Sequence, residues 1–432
     1  MDRASKLSLA GILILCLLLR LALVFYHGDK EIRSDAAAFY EIACNIADGK
    51  GFSINYGLTS GDTRPSAHGY VVYPYFLAAL LYLFDASLLG IGVAHAIIDT
   101  ITCFLVFLIA RRLLGGGIRA GLLAALAYAL YPPFILSTGT VMTETLNTFV
   151  MTALAYVLIL AMRRGLWYQA AAGLMMGFAI LSKPALMAFP LVFALLYYIN
   201  RRTMKSWLPK AALFVVFSYL AVSPWTIRNY MLMHKFIPVT THFGMSFWGG
   251  AGPADGVCLG GPGYPVDTKE RNLYNHNPLI PYVSEETFQR ITTFQQSMQQ
   301  MDEVERDRAL RTEAIKVIKA HPVRYLLLIP KKFVRFWFNL WYDHPGSLAS
   351  KGLAVINAFL LVMAVIGWRR KDTDQALKSV SLVVILYHTA LYSIIYGSAR
   401  FAYPIMPLVI ILAAGFVSQW SLFARKTKQA QA

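Results

Sequence analysis

The chain has 432 residues, of which 57% are hydrophobic and only 15% charged. Soluble domains carry about a quarter charged residues, so a water-soluble fold is excluded in favour of an all-α polytopic membrane protein. The formal net charge of +17 would suit a nucleic-acid binder, but much of the excess sits in short clusters between apolar runs, the pattern that orients spans in a membrane.

The first apolar run, Leu7 to Tyr26, follows a basic N-terminus. Its length and the lack of a small-residue cleavage pattern favour a retained span over a signal peptide. The stretch Arg33 to Gly51 then reads as a short helix. Ser34 or Asp35 can cap it, Ala36, Tyr40, Ala43 and Ala47 recur at helical spacing, and Gly49 fits its C-terminal stop. A carboxylate therefore stands in the first turn of a helix at the membrane surface.

Further along, Arg111, Arg112 and Arg119, Arg163 and Arg164, Arg201, Arg202, Lys205 and Lys210, Arg369 to Lys371, and Arg425 to Lys428 mark cytoplasmic connections. With these inside, ten spans fit, at about 7–26, 88–110, 118–136, 144–162, 167–182, 184–200, 208–226, 351–368, 378–395 and 404–424, and both termini are cytoplasmic. Two more apolar stretches, Tyr70 to Phe84 and Arg324 to Trp341, read as helices in the outer interface, because the first is short and the second carries Lys331, Lys332 and Arg335. If both cross, the count is twelve.

Two external segments exceed mere connectors, about 27–87 and 227–345. In the second, Gly244 to Pro265 reads as loop and Ser284 to His321 as one amphipathic surface helix, together an ordered lid with no core of its own. The chain thus divides into an N-terminal transmembrane module (1–230), an external lid (231–345) and C-terminal transmembrane helices (346–432). Of the four cysteines, Cys16 and Cys103 lie in spans, while Cys44 and Cys258 are external and near enough in topology to pair.

Polar features gather at the outer ends of the spans. Arg64, Lys183, Arg228 and Arg400 all fall outside, against the positive-inside bias, which calls for an anionic partner such as a lipid phosphate. Bland readings compete with this one. Asp35 could be only a helix cap, Glu144 only an offset to a helix dipole, and the external cations only side chains snorkelling to headgroups. His68, His242 and His321 match no metal-ligand spacing. His242 could line an acceptor cleft, and Phe247 and Trp248 could stack on a sugar ring.

The series Ser34-Asp35, Tyr40, Ala43, Gly49-x-Gly51, Arg64-Pro65, Thr143-Glu144, Ser182-Lys-Pro184, Pro224 to Tyr230, Phe247 to Pro253, His321-Pro322 and Arg400 to Pro404 resembles bacterial glycosyltransferase family 39. These are GT-C enzymes related to protein O-mannosyltransferases and to the aminoarabinose transferases of lipid A. The resemblance spans about residues 5 to 415. It implies a GT-C fold of about 10 to 12 transmembrane helices in the bacterial inner membrane. It further implies transfer of a sugar from a polyprenyl phosphate donor, such as undecaprenyl phosphate, to a lipid, glycan or protein acceptor on the periplasmic side.

By position in that family Asp35 is the catalytic base and Glu144 the second acidic residue. Arg64, Lys183 and Arg400 bind the donor phosphate, with Arg228 a further candidate, while Tyr40, His242, Phe247 and Trp248 are candidates for acceptor or sugar contact. Members often carry an acidic residue directly after the catalytic Asp. This chain has Ala36 there, so no cofactor is called for, although a divalent metal stays open.

The chemistry asks for such a set. A phosphate diester leaves as a stable anion, so one carboxylate suffices where glycoside hydrolysis needs two, and in-line attack opposite the phosphate predicts inversion. Two rivals remain. A polymerase or ligase using a pyrophosphate-linked donor would also need outward arginines. A transporter or flippase would need ionisable residues along the spans, where Arg20, His95 and Asp99 are the main ones.

Overall fold

The computed structural model describes residues 1–28, 32, 35–55, 63–84, 87–199, 206–252, 285–298, 300–338 and 348–430. Apart from one two-stranded hairpin its regular structure is helical, the arrangement a bilayer enforces by leaving backbone polar groups no partner but their own segment. The chain is a multi-pass membrane protein. It opens with α1 (Arg3–His27), an external helix α2 (Asp35–Ala47), strands β1 (Ser53–Ile54) and β2 (Arg64–Pro65), and α3 (Val72–Phe84). Then come α4 (Leu88–Leu113), α5 (Gly117–Leu130), α6 (Pro132–Thr138), α7 (Glu144–Arg163), α8 (Leu166–Ser182), α9 (Phe189–Ile199) and α10 (Trp207–Met233). The external helices α11 (Phe243–Ala251), α12 (Glu285–Met298) and α13 (Glu303–Ala320) lead to the interfacial α14 (Pro322–Phe338). The chain closes with α15 (Leu348–Arg369), α16 (Gln375–Ile394), 3-10 turns over Ala399–Ile405, and α17 (Met406–Ala430).

Among the described residues, α1, α4, α7, α10, α15, α16 and the stretch Ala399–Ser418 are long and apolar enough to cross a membrane. Helices α5 and α6, bent by 55°, make an eighth span if taken together. The shorter apolar α8 and α9 lie where the fifth and sixth spans were expected. On α1, Leu7, Ile14, Leu18 and Phe25 are exposed along one stripe toward lipid, while Cys16, Arg20 and Val24 turn inward at helical spacing.

Several expectations need correction. The single span over 118–136 is broken at Tyr131, where Pro132 removes a backbone donor and Tyr131 turns extended. The span predicted over 208–226 runs on to Met233 with Pro224 inside it. Gly244 to Pro265 is not all loop, since α11 occupies its start. Ser284 to His321 is two helices rather than one: Asp302 caps α13 in a capping box with Glu305. The lid also has a small core, in which Trp248, Ile291, Met298, Leu310, Ala314 and Val317 cluster against Tyr325 and Leu328 of α14. Cys258 and hence the suggested Cys44 pairing lie outside the described residues.

Two features stiffen the bundle. Gly173 and Gly177 let α8 approach α10 so closely that a Cβ on either would come within 2.6 Å and 2.5 Å of the carbonyl oxygens of Phe214 and Ser218. Between α1, α4 and α5, the fully buried Arg20 pairs with Asp99 at 2.6 Å. Arg20 also donates to the Ala129 carbonyl, and the Tyr128 hydroxyl donates to Asp99. Two of the three ionisable residues that a conduction path would need, Arg20 and Asp99, are therefore spent on each other, while His95 meets the Tyr73 hydroxyl at 3.3 Å.

Candidate functional site

Asp35 is the first residue of α2, in the turn where the helix dipole favours a negative charge. The helix is set in place by its apolar face. Phe39, Ile42 and Ala43 are buried, and Phe39 stacks on Tyr70 and meets Tyr73 edge-on, each at 5.6 Å between ring centroids. Gly69 makes the turn before Tyr70 with φ of +77°, and a Cβ there would lie 3.1 Å from the Phe39 ring. A side chain at this position would be strained twice over.

Three other charged side chains meet here. Arg400, on the 3-10 segment before α17, donates from Nη2 to Asp35 Oδ2 at 2.8 Å. Its Nε lies 3.7 Å from Oε1 of Glu144, the first residue of α7. Glu144 is buried, and its Oε2 has no hydrogen-bond partner. Lys183, in the joint between α8 and α9, is buried and donates to the Tyr70 hydroxyl at 3.2 Å. Its ammonium sits 4.6 Å from the Tyr70 ring centroid and 4.4 Å from that of Phe401. The ends of elements far apart in sequence thus supply two carboxylates and two cations to one place.

Electrostatics follow the geometry. Burial works to raise the Asp35 carboxyl, but the charge and hydrogen bond of Arg400 outweigh it, so Asp35 titrates below its ordinary range. His68 and His242 pack edge to face at 4.8 Å. Burial first, and then the neighbouring His242, push His68 down to about 3. Burial also lowers His242, against the pull of Asp35. Both imidazoles are therefore neutral at neutral pH. The buried Nδ1 of His242 has no hydrogen-bond partner, which marks it as a group that a substrate could satisfy.

The lid fastens these histidines through α13. Glu303 accepts from the Ala67 backbone at 2.8 Å, from the Ser66 hydroxyl at 2.7 Å and from the Thr241 hydroxyl at 3.4 Å. The Thr241 N–H donates to the Ala67 carbonyl at 3.1 Å. One turn on, Asp307 accepts from the Gly244 N–H at 2.5 Å and pairs with Arg311. A Cβ on Gly244 would fall 2.2 Å from the Asp307 carbonyl, so only glycine lets α11 lie against α13.

Among the predicted residues, Asp35, Glu144, Lys183 and Arg400 are brought together, with His242 beside them. Tyr40 is half-buried and packs against the main apolar core. Phe247 is partly buried and lies against the lid core. Three expected contacts go elsewhere. Arg64 stands exposed on β2, paired across the hairpin with Ile54. Arg228 donates to the carbonyls of Ser66 at 2.6 Å and Phe52 at 2.7 Å, fastening the first external loop to α10. Trp248 is buried in the lid core against Phe294, so its faces are unavailable for stacking on a sugar. Among the described residues, no hydrogen bond or ion pair joins Arg64 or Arg228 to Asp35 or Glu144.

Sequence reasoning missed His68, Tyr70, Glu303 and Phe401. Phe401 lies inside the Arg400 to Pro404 motif, which was the available signal; Tyr70 and Glu303 left none. No group of three or more His, Cys, Asp or Glu side chains converges as a metal site among the described residues.

Residues 67–227 match the family model of dolichyl-phosphate-mannose-protein mannosyltransferases. The match covers less than half of the chain and agrees with the resemblance to protein O-mannosyltransferases. The matched stretch contains His68, Tyr70, Glu144 and Lys183 but neither Asp35 nor Arg400, which the fold brings to it from either side. Among solved structures, the chain is similar to ArnT from Cupriavidus metallidurans bound to undecaprenyl phosphate, at 15% identity over 95% of this chain and 78% of that one, with a TM-score of 0.42. It is similar also to ArnT in the apo state, at 14% identity over 94% and 78%, with a TM-score of 0.39. No curated protein matches the chain in sequence.

Proposed function

We propose that this protein is a glycosyltransferase of the bacterial inner membrane that moves a sugar from a polyprenyl phosphate donor to a hydroxyl of a periplasmic acceptor, with inversion. The observation that carries this reading is the meeting of Asp35 with Arg400, Lys183 and Glu144 at the ends of membrane helices, around a segment that matches a glycosyltransferase family. Arg400 and Lys183 hold the donor phosphate and stabilise the charge that grows on it as the anomeric bond breaks. Asp35 takes the proton of the attacking hydroxyl, on the face of the sugar opposite the phosphate. Glu144 holds the Arg400 guanidinium from behind. Neutral His242, with a free ring nitrogen, hydrogen-bonds the acceptor or sugar, with His68 packed against it.

Asp35→Asn keeps the size of the side chain and removes its basicity. In proteoliposomes supplied with a polyprenyl-phosphate sugar and a hydroxyl acceptor, transfer should fall by about 10²-fold or more. Near wild-type transfer would refute the assignment of the base. Substituting a pyrophosphate-linked donor in the same assay tests the polymerase or ligase reading, and NMR of the product's anomeric proton tests inversion.

A further inference from the structure

The two site cations are not placed alike. Lys183 is wedged between the Tyr70 and Phe401 rings and bonded to a neutral hydroxyl. Among the described residues no carboxylate lies within ion-pair distance of it. Arg400 is already committed, with Nη2 on Asp35 at 2.8 Å and Nε facing Glu144 at 3.7 Å. In this geometry two carboxylates balance two cations, so an incoming phosphate meets no surplus of positive charge.

We infer that Asp35 and the donor phosphate compete for the Arg400 guanidinium, so that donor binding draws Arg400 off Asp35 and thereby turns Asp35 into an effective base. This rests on the sugar-transfer reading above and adds to it a coupling between donor arrival and base strength. Before the donor arrives, Arg400 holds Asp35 as a weak base that does not deprotonate stray hydroxyls. Once the guanidinium turns to the phosphate, its charge is shared with a second anion and the hydrogen bond to Oδ2 is released. Both changes strengthen the attraction of Asp35 for a proton. Lys183, which has no carboxylate to give up, is the first phosphate anchor. Glu144, held near Nε, keeps the guanidinium within reach of both anions while it turns.

The test is a binding cycle that needs no turnover. Affinity for polyprenyl monophosphate in detergent micelles is measured for wild type, Asp35→Asn, Arg400→Gln and the double variant. Competition predicts that Asp35→Asn binds the lipid about 5- to 10-fold tighter than wild type, although it cannot transfer. It further predicts that this gain vanishes in the Arg400→Gln background, as coupled sites in a double-mutant cycle require. Equal or weaker binding by Asp35→Asn overturns the proposal. So does a gain that persists undiminished without Arg400, which would mean plain repulsion between carboxylate and phosphate.

A second measurement on the wild type alone guards against a misfolded Arg400 variant. Since kcat/KM for the donor reports the free enzyme and kcat the loaded one, the acid limb of kcat should lie at higher pH than that of kcat/KM. Coincident limbs overturn the proposal. These results are separable from the fate of the underlying reading: an active Asp35→Asn enzyme removes the base, whereas an inactive one that binds donor no tighter removes only the competition.

Discussion

Two of the arginine–aspartate pairs, Arg20 with Asp99 and Arg400 with Asp35, differ in a way that separates structure from function. Arg20 and Asp99, between transmembrane helices, are 0% and 1% exposed and saturated by further hydrogen bonds. Arg400 and Asp35, at the ends of their helical segments, are 36% and 39% exposed, and beside them Glu144 Oε2 and His242 Nδ1 have no hydrogen-bond partner among the described residues. A pair in which every nitrogen and oxygen is already bonded can only hold helices together. One with spare polar atoms and an open side can bind and exchange partners.

Substitutions test that contrast directly. Arg20→Met strands Asp99 as an uncompensated charge inside the bundle, and should cost about 3 to 5 kcal/mol in denaturation measured in detergent. Arg20→Met with Asp99→Leu should recover much of that loss, and a double variant no more stable than the single one would deny the pair a merely structural role. Removing the outer pair with Asp35→Asn should instead leave the denaturation midpoint nearly unchanged while transfer collapses.

A smaller effect is expected of Glu303→Gln, which keeps the shape but weakens the charge-assisted bonds to Ser66 and Ala67 by about 1 to 3 kcal/mol. Its signature should be a raised acceptor KM with a lesser change in kcat, read from initial rates, because the His68 and His242 segments loosen while Asp35 stays in place. His68 supplies a pH test. Its imidazole titrates at about 3 in the fold against 6.5 as the reference. The unfolded chain therefore takes up a proton that the folded one refuses, and stability is full above pH 6.5 and falls progressively below it, toward about 3. His68→Gln should flatten the acid decline of the denaturation midpoint. Least of all, Arg64→Ala on the exposed hairpin should shift stability by within about 0.5 kcal/mol. A large loss of donor affinity from it would bring Arg64 back into the site.

Much of this could be read before any coordinates were seen, for identifiable reasons. Apolar runs and basic clusters located the spans because a bilayer permits few alternatives. The α2 helix was visible from Asp35 to Gly49 because its pattern and stop are local. Where local signals competed, the reading slipped. Pro132 and Pro133 announce a break that total hydrophobicity concealed, and Asp302 with Glu305 announces a new helix start inside an amphipathic run. Other contacts had no local signal. Arg228 looked like a phosphate ligand because nothing in a sequence marks a backbone carbonyl as an acceptor, and its partners Phe52 and Ser66 lie far upstream. Trp248 looked like a sugar platform because the helices that bury it pack from further along the chain. Glu303 acts through backbone amides, which every residue possesses.

The bond between Asp35 and Arg400 closes a loop of 365 positions. A ribosome must have delivered every residue up to Arg400, and the membrane must have accepted the helices between, before the two can meet. A prematurely terminated product lacking the final span would sit in the bilayer with its acid and no guanidinium to govern it. Under the proposed reading, sugar transfer waits until Arg400 has been made, and a frameshift anywhere before it should be as silencing as one near the start of the gene.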